Sequence, residues 1–405
     1  MRNKKPILIA GGGIGGLATA LGLSQKGFAC MVLEKASRLG EIGAGIQLGP
    51  NAFHSFDHLG VGEAARRTAV YVEKLRFMDA ISAEEICNIP LGDDFRARFG
   101  NPYAVVHRGD LHGVLLKACE DSPLVELRTS SAVTAYEQEG ASVTATLATG
   151  ERVAGCALIG ADGLRSNVRE QMLGDGEPRV SGHTTYRSVI PTEDMPEELR
   201  WNAAVLWGGP KCHIVHYPLS GWKVFNLVVT YHNDAPDAAA GVPCTHEEVA
   251  RGFAHVHPKA RQIIDRGRDW KYWVLCDRDP VLNWTEGRVA LLGDAAHPTL
   301  QYLAQGACMA MEDAVCLSTL LDRHDGDFEA VLTAYCQRRR DRTARVTIQS
   351  RLLGDQVFHN DTGHASLRNA YLKAKSPEDW YHSIDWLYGG HGLDARVVSG
   401  HPNRV

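Results

Sequence analysis

The N-terminal segment constrains the fold of this chain more than any other part of the sequence. A short apolar run, Pro6 to Ala10, leads into a glycine-rich loop from Gly11 to Gly16. Apolar residues at helical spacing follow from Leu17 to Lys26, Cys30 to Leu33 has the pattern of a second strand, and Glu34 comes next. This order of strand, glycine loop, helix, strand and acid is typical of a dinucleotide-binding βαβ unit.

The residues of this unit have separate predicted tasks. Gly11 permits a tight turn, Gly13 lets the backbone approach a pyrophosphate, and Gly16 allows the helix to pack closely on the strand. The N-terminus of the helix offers unpaired N–H groups and a partial positive charge to the phosphates. Glu34 is placed to accept hydrogen bonds from a ribose, and Lys35 beside it is assigned to the same cofactor site.

Two later segments bear on which dinucleotide is bound. An apolar strand ends at Gly160 with Asp162 just beyond it, and a second strand ends in Gly293-Asp294. Ligands of α/β sheets bind beyond the carboxyl ends of such strands. A further helix opens with Gly306 and Ala307, and its first amides would face the flavin edge that becomes negative on reduction. Each segment alone is typical of a capped turn, so only the set is specific.

In this order the three motifs resemble the single-component flavoprotein aromatic hydroxylases, the family of para-hydroxybenzoate and salicylate hydroxylases. The resemblance covers roughly residues 5 to 390. It implies an α/β fold in which a Rossmann-like FAD-binding domain, discontinuous in sequence, is combined with a β-sheet substrate domain and C-terminal helices. The expected ranges are 1–75, 105–180 and 277–355 for the FAD-binding domain, 76–104 and 181–276 for the substrate domain, and 356–405 for the helical segment.

The resemblance also implies roles for individual residues. Asp162 would serve both FAD and NAD(P)H, Asp294 would hold the ribityl chain, and Arg108 would lie near the flavin chain. The full cofactor set is Gly11, Gly13, Gly16, Glu34, Lys35, Gln47, Arg108, Val133, Asp162, Gly293, Asp294, Gly306 and Ala307. The resemblance implies tightly bound FAD, NADH that docks transiently, and O2 as cosubstrate, and the lack of a second glycine fingerprint in the sequence fits that family.

The predicted substrate site is centred on a strand around residues 212–219. Alternation along a strand places His213 and Tyr217 on one face and His216 on the other. Within the family, this segment and the one reaching Gln301 are most similar to members that hydroxylate 3-hydroxybenzoate. The resemblance implies that His213 and Gln301 hold the phenol, with Tyr217 as a further partner. The implied reaction is hydroxylation para to the phenol, giving 2,5-dihydroxybenzoate (gentisate) through a flavin C4a-hydroperoxide.

Several alternatives stay open at this stage. The group that binds the substrate carboxylate is one of Lys211, Arg187 and Tyr103, and Pro298 is expected beside the substrate. The nearest rival reaction is that of a salicylate 1-hydroxylase, which would release CO2 and give catechol. A flavoprotein dehydrogenase and a non-enzymatic FAD-binding protein are more distant alternatives, and neither explains a set made of His213, Tyr217 and Gln301.

Composition narrows the class of protein further. A net charge of −5 and a pI of about 6.4 argue against nucleic-acid or acidic-membrane partners. The apolar run at Ile7 to Ala10 is too short for a signal peptide or a membrane span. The ten cysteines form no Cys-x-x-Cys pair, which predicts reduced thiols in a cytoplasmic protein without a metal site. The expected partner is a small aromatic acid, and a homodimer is expected from related enzymes.

The remaining pattern gives local expectations. Thr185 to Ile190 and Trp222 to Val229 are predicted to be strands of a sheet that covers the active site. Ala235 to Val242 is predicted to be a surface loop. Glu247 to Ala254 and Pro258 to Arg266 are predicted helices, and the arginine-rich run from 337 to 345 is predicted to be a solvated helix face with ion pairs.

Overall fold

The computed structural model describes residues 2–40, 45–324 and 327–389, so the end of the predicted C-terminal segment, 390–405, lies outside the described residues. The strands are β1 (Ile7–Ala10), β2 (Cys30–Leu33), β3 (Gly45–Leu48), β4 (Val70–Tyr71), β5 (Lys74–Asp79), β6 (Glu85–Pro90), β7 (Ala104–His107), β8 (Val125–Arg128), β9 (Val133–Glu139), β10 (Ser142–Leu147), β11 (Arg152–Gly155), β12 (Ala157–Gly160), β13 (Arg179–Pro191), β14 (Ala203–Gly209), β15 (Cys212–Leu219), β16 (Val224–His232), β17 (Ala240–Pro243), β18 (Lys271–Asp277), β19 (Thr285–Glu286) and β20 (Val289–Leu291). The helices are α1 (Ile14–Gln25), α2 (Pro50–His58), α3 (Gly62–Thr68), α4 (Asp93–Phe99), α5 (Arg108–Glu120), α6 (Asn167–Leu173), α7 (His246–Arg251), α8 (Pro258–Ile264), α9 (Gly306–Arg323), α10 (Phe328–Leu353), α11 (Thr362–Lys373) and α12 (Pro377–Tyr388).

A six-stranded sheet carries the three sequence motifs at one edge. Its order is β19-β20-β12-β1-β2-β8, and β1 pairs in parallel with both β12 and β2. Ala10 lies opposite Gly160 on one side and Leu33 on the other, and Gly160 lies opposite Leu291. The carboxyl ends of the four strands are therefore level. Because strands of such a sheet are covered on both faces, β1 is continuously apolar and buried.

An eight-stranded sheet forms the other main layer. Its order is β17-β18-β13-β16-β15-β14-β5-β6, antiparallel except for the β14–β5 pair. One face packs on α7 and α8 through a core that includes Trp207, Ile214 and Phe253. The other face carries the alternate residues of each strand. The predicted strands Thr185–Ile190 and Trp222–Val229 correspond to parts of β13 and β16.

Two local expectations are corrected by the structure. The predicted loop Ala235–Val242 ends in an edge strand, β17, because backbone pairing with β18 does not require an apolar pattern at an exposed edge. The arginine-rich run is not wholly a solvated face. Arg339 is fully buried and forms ion pairs with Glu312 and Asp313 of α9, since a buried guanidinium needs charged partners.

The predicted domain ranges stay a prediction, although the two large sheets fall largely within them. β1, β2, β8, β12, β19 and β20 come from the ranges assigned to FAD, and β13 to β18 come from those assigned to the substrate. Among the described helices, none is both long and apolar enough to cross a lipid bilayer.

Candidate active site

A cavity of about 980 Å³ is lined by the carboxyl edge of the six-stranded sheet and by the open face of the eight-stranded sheet. This volume is near the upper end of the range of small-molecule sites, roughly 300–1,000 Å³. Gly16, Lys211 and Pro298 are not on its wall. The predicted residues that do line it are Gly11, Gly13, Glu34, Lys35, Gln47, Tyr103, Arg108, Val133, Asp162, Arg187, His213, Tyr217, Gly293, Asp294, Gln301, Gly306 and Ala307.

The glycine loop forms a cradle that no side chain could enter. Gly11 has a φ of +102°, and a Cβ there would lie 2.4 Å from the carbonyl oxygen of Ala161. A Cβ on Gly16 would lie 2.0 Å from the carbonyl oxygen of Gly11, so Gly16 acts through packing rather than from the cavity wall. Gly13 is the N-cap of α1 and gives no side-chain cap, which leaves the first amides of the helix for an anion.

Glu34 is fixed at the end of β2 by the backbone. Its Oε2 accepts a hydrogen bond from the Gly12 amide at 2.7 Å, and its Oε1 accepts one from the Ala36 amide at 2.8 Å. Each carboxylate oxygen keeps a further lone pair. The carboxylate therefore fits the hydroxyls of a ribose, with Lys35 beside it on the cavity wall.

Asp162 has a structural task in addition to its place on the wall. It accepts hydrogen bonds from the Ser166 hydroxyl at 2.5 Å and from the Asn167 amide at 2.9 Å, just before α6. Burial raises the pKa of the Asp162 carboxyl above its ordinary value, against these hydrogen bonds. The Asn167 side chain in turn donates to the carbonyl of Val133 at 2.8 Å. This network holds Asp162 and Val133 together on the FAD side of the cavity.

The turn at Gly293-Asp294 depends on residues that the sequence did not reveal. Asp313 accepts hydrogen bonds from the Gly293 amide at 3.1 Å and from His297 Nε2 at 2.6 Å. Although burial opposes its ionisation, the neighbouring His297 and Arg339 lower the pKa of Asp313. Arg169 donates to the carbonyls of Ala295 and Ala296 at 2.9 and 2.7 Å. The only local signal was an acidic pair within an otherwise buried helix.

The start of α9 completes the cofactor side. Gly306 and Ala307 line the cavity, and the N-cap Gln305 makes no side-chain cap, so the first amides remain unpaired within the helix. The Gln305 side-chain oxygen instead accepts from Asn51 at 2.9 Å. The two uncapped helix N-termini, the small residues and the carboxylate of Glu34 are chemically suited to the pyrophosphate, ribose and flavin of FAD.

The substrate side is built from alternate residues of neighbouring strands. In the register of the eight-stranded sheet, His213 lies opposite Thr230, which lies opposite Thr185. Gln301 reaches this face from the loop after Asp294. Its Nε2 donates to the hydroxyls of Thr185 and Thr230 at 2.9 and 3.0 Å, and its Oε1 accepts from Arg187 at 3.1 Å. The imidazole at 213 and the amide at 301 therefore share one wall.

His213 is a buried, neutral imidazole on this wall. It is 2% exposed, and its Nδ1 lies 2.7 Å from Nε2 of His359. Burial, with the nearby His183, lowers the pKa of His213 to about 3. Its Nε2 is the ring nitrogen left for a ligand. Tyr217 lies four residues after His213 on the same face of β15. It is also buried, and burial raises the pKa of its phenol.

The four candidates for the substrate side differ in their position and in their hydrogen-bond partners. Arg187 lines the cavity, its buried Nε has no hydrogen-bond partner among the described residues, and burial lowers its pKa. Tyr103 donates to Gln47 at 2.7 Å. Lys211 occupies an exposed turn with its Nζ 3.9 Å from Asp234, and Pro298 is buried off the wall. Of these four candidates, Arg187 alone combines a place on the cavity wall with a charged side chain that has an unused donor among the described residues.

Comparisons with known proteins identify the family of this chain. A family profile described as FAD binding domain matches residues 4–350. The chain is 55% identical over 383 residues to 3-hydroxybenzoate 6-hydroxylase 1 of Aquipseudomonas alcaligenes, covering 95% of this chain and 97% of that protein. It is 50% identical to 3-hydroxybenzoate 6-hydroxylase of Polaromonas naphthalenivorans (strain CJ2), covering 95% and 96%. A salicylate hydroxylase substrate complex superposes with a TM-score of 0.82 at 25% identity, covering 98% of each chain.

The fold, the cradle and the family match together define a FAD-binding protein. More narrowly, the chain belongs to the family of single-component FAD-dependent aromatic hydroxylases, and it is an enzyme of that family. The resemblance drawn from the motifs and the α/β flavoprotein fold are thereby confirmed.

Proposed function

We propose that this enzyme hydroxylates 3-hydroxybenzoate para to its phenol, with NADH as electron donor, and forms 2,5-dihydroxybenzoate. The observation that carries the proposal is the joint position of His213, Gln301 and Arg187 on one wall of the cavity. Support comes from the two relatives at 50–55% identity, both named for this substrate. The choice of NADH over NADPH follows from the family resemblance alone.

The phenol is assigned to His213 and Gln301. Because both amide hydrogens of Gln301 are used by threonines and its Oε1 accepts one hydrogen bond from Arg187, the second lone pair of Oε1 remains to accept from the phenol. The neutral imidazole of His213 presents Nε2 as the second partner. Ionising a phenol of pKa about 10 at pH 7 costs about 4 kcal/mol, and acceptors at the hydroxyl offset part of that cost. Both residues therefore favour the electron-rich form of the ring.

The carboxylate is assigned to Arg187. Arg187 lies two strands away from His213 and two residues further along, so their backbones are roughly 12 Å apart. The Arg187 guanidinium also lies within hydrogen-bond distance, 3.1 Å, of the Gln301 amide oxygen, so the two ring substituents would bind close together on this wall. The preference for 3-hydroxybenzoate over the decarboxylating salicylate reaction rests on the two relatives named for that substrate.

When bound, FAD supplies hydride acceptance from NADH and activation of O2 for transfer of one oxygen atom to the ring. The protein's part is to keep the site dry and the ring oriented. Leu75, Phe77, Leu206, Val215 and Val228 give the cavity an apolar wall beside the polar trio. An apolar wall excludes water that would otherwise divert the activated oxygen to hydrogen peroxide.

The deciding experiment is NADH oxidation by the purified, FAD-loaded enzyme with 3-hydroxybenzoate, 4-hydroxybenzoate and salicylate, with products identified by chromatography. We expect 2,5-dihydroxybenzoate from 3-hydroxybenzoate, in amounts that match the NADH used, and no catechol from salicylate. Replacing NADH by NADPH should lower kcat/KM. Catechol and CO2 as the main products from salicylate would instead establish the rival reaction.

A further inference from the structure

Three histidines from distant parts of the chain meet behind His213. We call His183 of β13, His232 at the end of β16, and His359 the rear histidine cluster. One possible ligand atom from each lies within 4.8 Å of the other two. The rings of His183 and His232 are 4.2 Å apart between centroids, and those of His183 and His359 are 4.9 Å apart. The cluster adjoins the candidate active site and is not used by the proposed reaction.

His359 and His183 each present a ring nitrogen for another ligand. His359 faces His213 through Nε2, and its Nδ1 is buried without a hydrogen-bond partner among the described residues. His183 contacts the hydroxyl of Tyr302 through Nδ1, while its Nε2 lies 3.8 Å from a carboxylate oxygen of Asp355. A buried nitrogen without a partner in a native fold requires an explanation, and a bound ion supplies one.

The charges around the cluster suit a cation. Burial lowers the pKa of His183 to about 4 and also lowers that of His359, so both rings are neutral at pH 7 with lone pairs available. Asp355 lies beside His183, and Asp234 lies 3.1 Å from His232 Nε2. Two cations oppose this arrangement. Lys211, 3.9 Å from Asp234, has a largely exposed and screened side chain, and Arg179, whose charge also acts on His183, is paired with Asp277.

We propose that the rear histidine cluster binds one divalent transition-metal ion of the Zn²⁺ or Cu²⁺ type, through three imidazole nitrogens and one carboxylate. Three histidines with a carboxylate or water are a favourable donor set for these ions. Tetrahedral Zn–N bonds of about 2.0–2.1 Å place ligand nitrogens about 3.4 Å apart, so nitrogens that now lie within 4.8 Å of one another must close by up to about 1.4 Å. His232 is partly exposed and is the ring with room to move. Tyr302 and His213 would orient the other two ligands.

Metal binding would reach the active site through one hydrogen bond. A metal on Nδ1 of His359 leaves the proton on Nε2, which then donates to Nδ1 of His213. His213 must then carry its own proton on Nε2 and present a donor to the phenol. This consequence rests on the proposed function, whereas the metal site itself does not.

The site is tested by calorimetric titration of Zn²⁺ into the chelator-treated, FAD-loaded enzyme without substrate. We expect one equivalent bound with a Kd of about 1–10 μM, and binding roughly 10- to 100-fold weaker in His232→Ala. The matched control is His246→Ala, since His246 also lies near a carboxylate, 3.4 Å from Asp265, but on α7. Zinc X-ray absorption should show three imidazole ligands. No binding, or equal affinity in the two variants, would overturn the proposal.

Measurements of turnover with Zn²⁺ test the link to His213 separately from the metal site itself. Zn²⁺ should inhibit hydroxylation by the unmodified enzyme, and His232→Ala should need at least about tenfold more Zn²⁺ for the same inhibition. If Zn²⁺ binds with the expected dependence on His232 but turnover is unchanged, the metal site stands and its link to His213 is wrong. If no hydroxybenzoate is turned over at all, the titration still decides the metal site on its own.

Discussion

The two sides of the cavity present different parts of the polypeptide to the ligands that we propose for them. On the cofactor side, glycines and helix N-termini at the ends of parallel strands present backbone amides, and Glu34 is itself held by backbone amides. On the substrate side, His213, Arg187 and Gln301 present side chains from two strands and a loop. The cofactor side depends on glycines, which have no side chains to fill the cradle. The substrate side depends on the chemistry of its three polar side chains.

This contrast predicts that substitutions on the two sides of the cavity have different effects. A substitution in the cradle should act through steric exclusion and remove the cofactor altogether. A substitution on the substrate face should leave the cofactor bound and change only the chemistry or the affinity for the aromatic acid. Each variant below tests whether the two sides are separable in this way.

The largest effect is expected from Gly16→Ala. The added Cβ would lie 2.0 Å from the carbonyl oxygen of Gly11, which is backbone and has little freedom to yield. Overpacking of about 3 kcal/mol or more at this point should weaken FAD binding by at least about 100-fold. The ratio of flavin absorbance to protein after purification, followed by fluorescence titration with FAD, measures the loss.

The control is Gly113→Ala in α5, where an added Cβ meets nothing within 4 Å. This helical position should accept alanine with full flavin content and slightly higher stability. Stoichiometric FAD in purified Gly16→Ala would show that the cradle tolerates side chains and that the contrast is false.

The same contrast explains what the sequence could and could not predict. The cradle could be predicted from the sequence because its motifs are contiguous. β2 was predicted with its observed bounds, whereas α1 was predicted from Leu17 to Lys26 and runs from Ile14 to Gln25. Glycine-rich loops between a buried strand and a helix have few other uses, so local pattern was sufficient.

The side chains that support the site could not be predicted from the sequence because their partners are distant along the chain. Arg169 binds carbonyls more than a hundred residues away, and His359 meets His213 across a similar separation. Arg339 was misassigned to a solvated face because the arginine-rich sequence is the same whether or not acidic side chains of a neighbouring helix, here Glu312 and Asp313, pack against it. Lys211 was a plausible carboxylate partner by type, but its turn has a φ of +54° and points it to solvent.

The next effect tests the phenol contact. His213→Ala removes the acceptor Nε2, and we expect kcat for hydroxylation to fall by roughly 100-fold while FAD stays bound and hydrogen peroxide formation increases. Oxygen uptake with and without catalase, together with product analysis, separates hydroxylation from peroxide release. Loss of FAD from this variant would mean that the two sides of the cavity are not independent.

A matched control lies three positions along the same strand. His216 is equally buried but faces the opposite side of the sheet, where its Nε2 accepts a hydrogen bond from the Trp207 indole at 3.1 Å. His216→Gln preserves an acceptor and should leave the hydroxylation rate unchanged, with any cost confined to thermal stability. Equal rates in the His213 and His216 variants would remove His213 from the proposed reaction.

The smallest effect, and the finest test of the substrate side, is expected from Arg187→Gln. Loss of a charge-assisted hydrogen bond of about 1.5–3 kcal/mol should raise KM for 3-hydroxybenzoate by roughly 10- to 100-fold, with a smaller change in kcat. Arg187 also donates to Gln301, so a raised KM alone does not identify its partner. Binding of 3-hydroxybenzyl alcohol, which keeps the phenol and lacks the carboxylate, makes the distinction. If Arg187 binds the carboxylate, this neutral ligand binds the variant and the unmodified enzyme almost equally. If both ligands weaken to the same extent, Arg187 acts by positioning Gln301, and the carboxylate partner must be sought elsewhere on the wall.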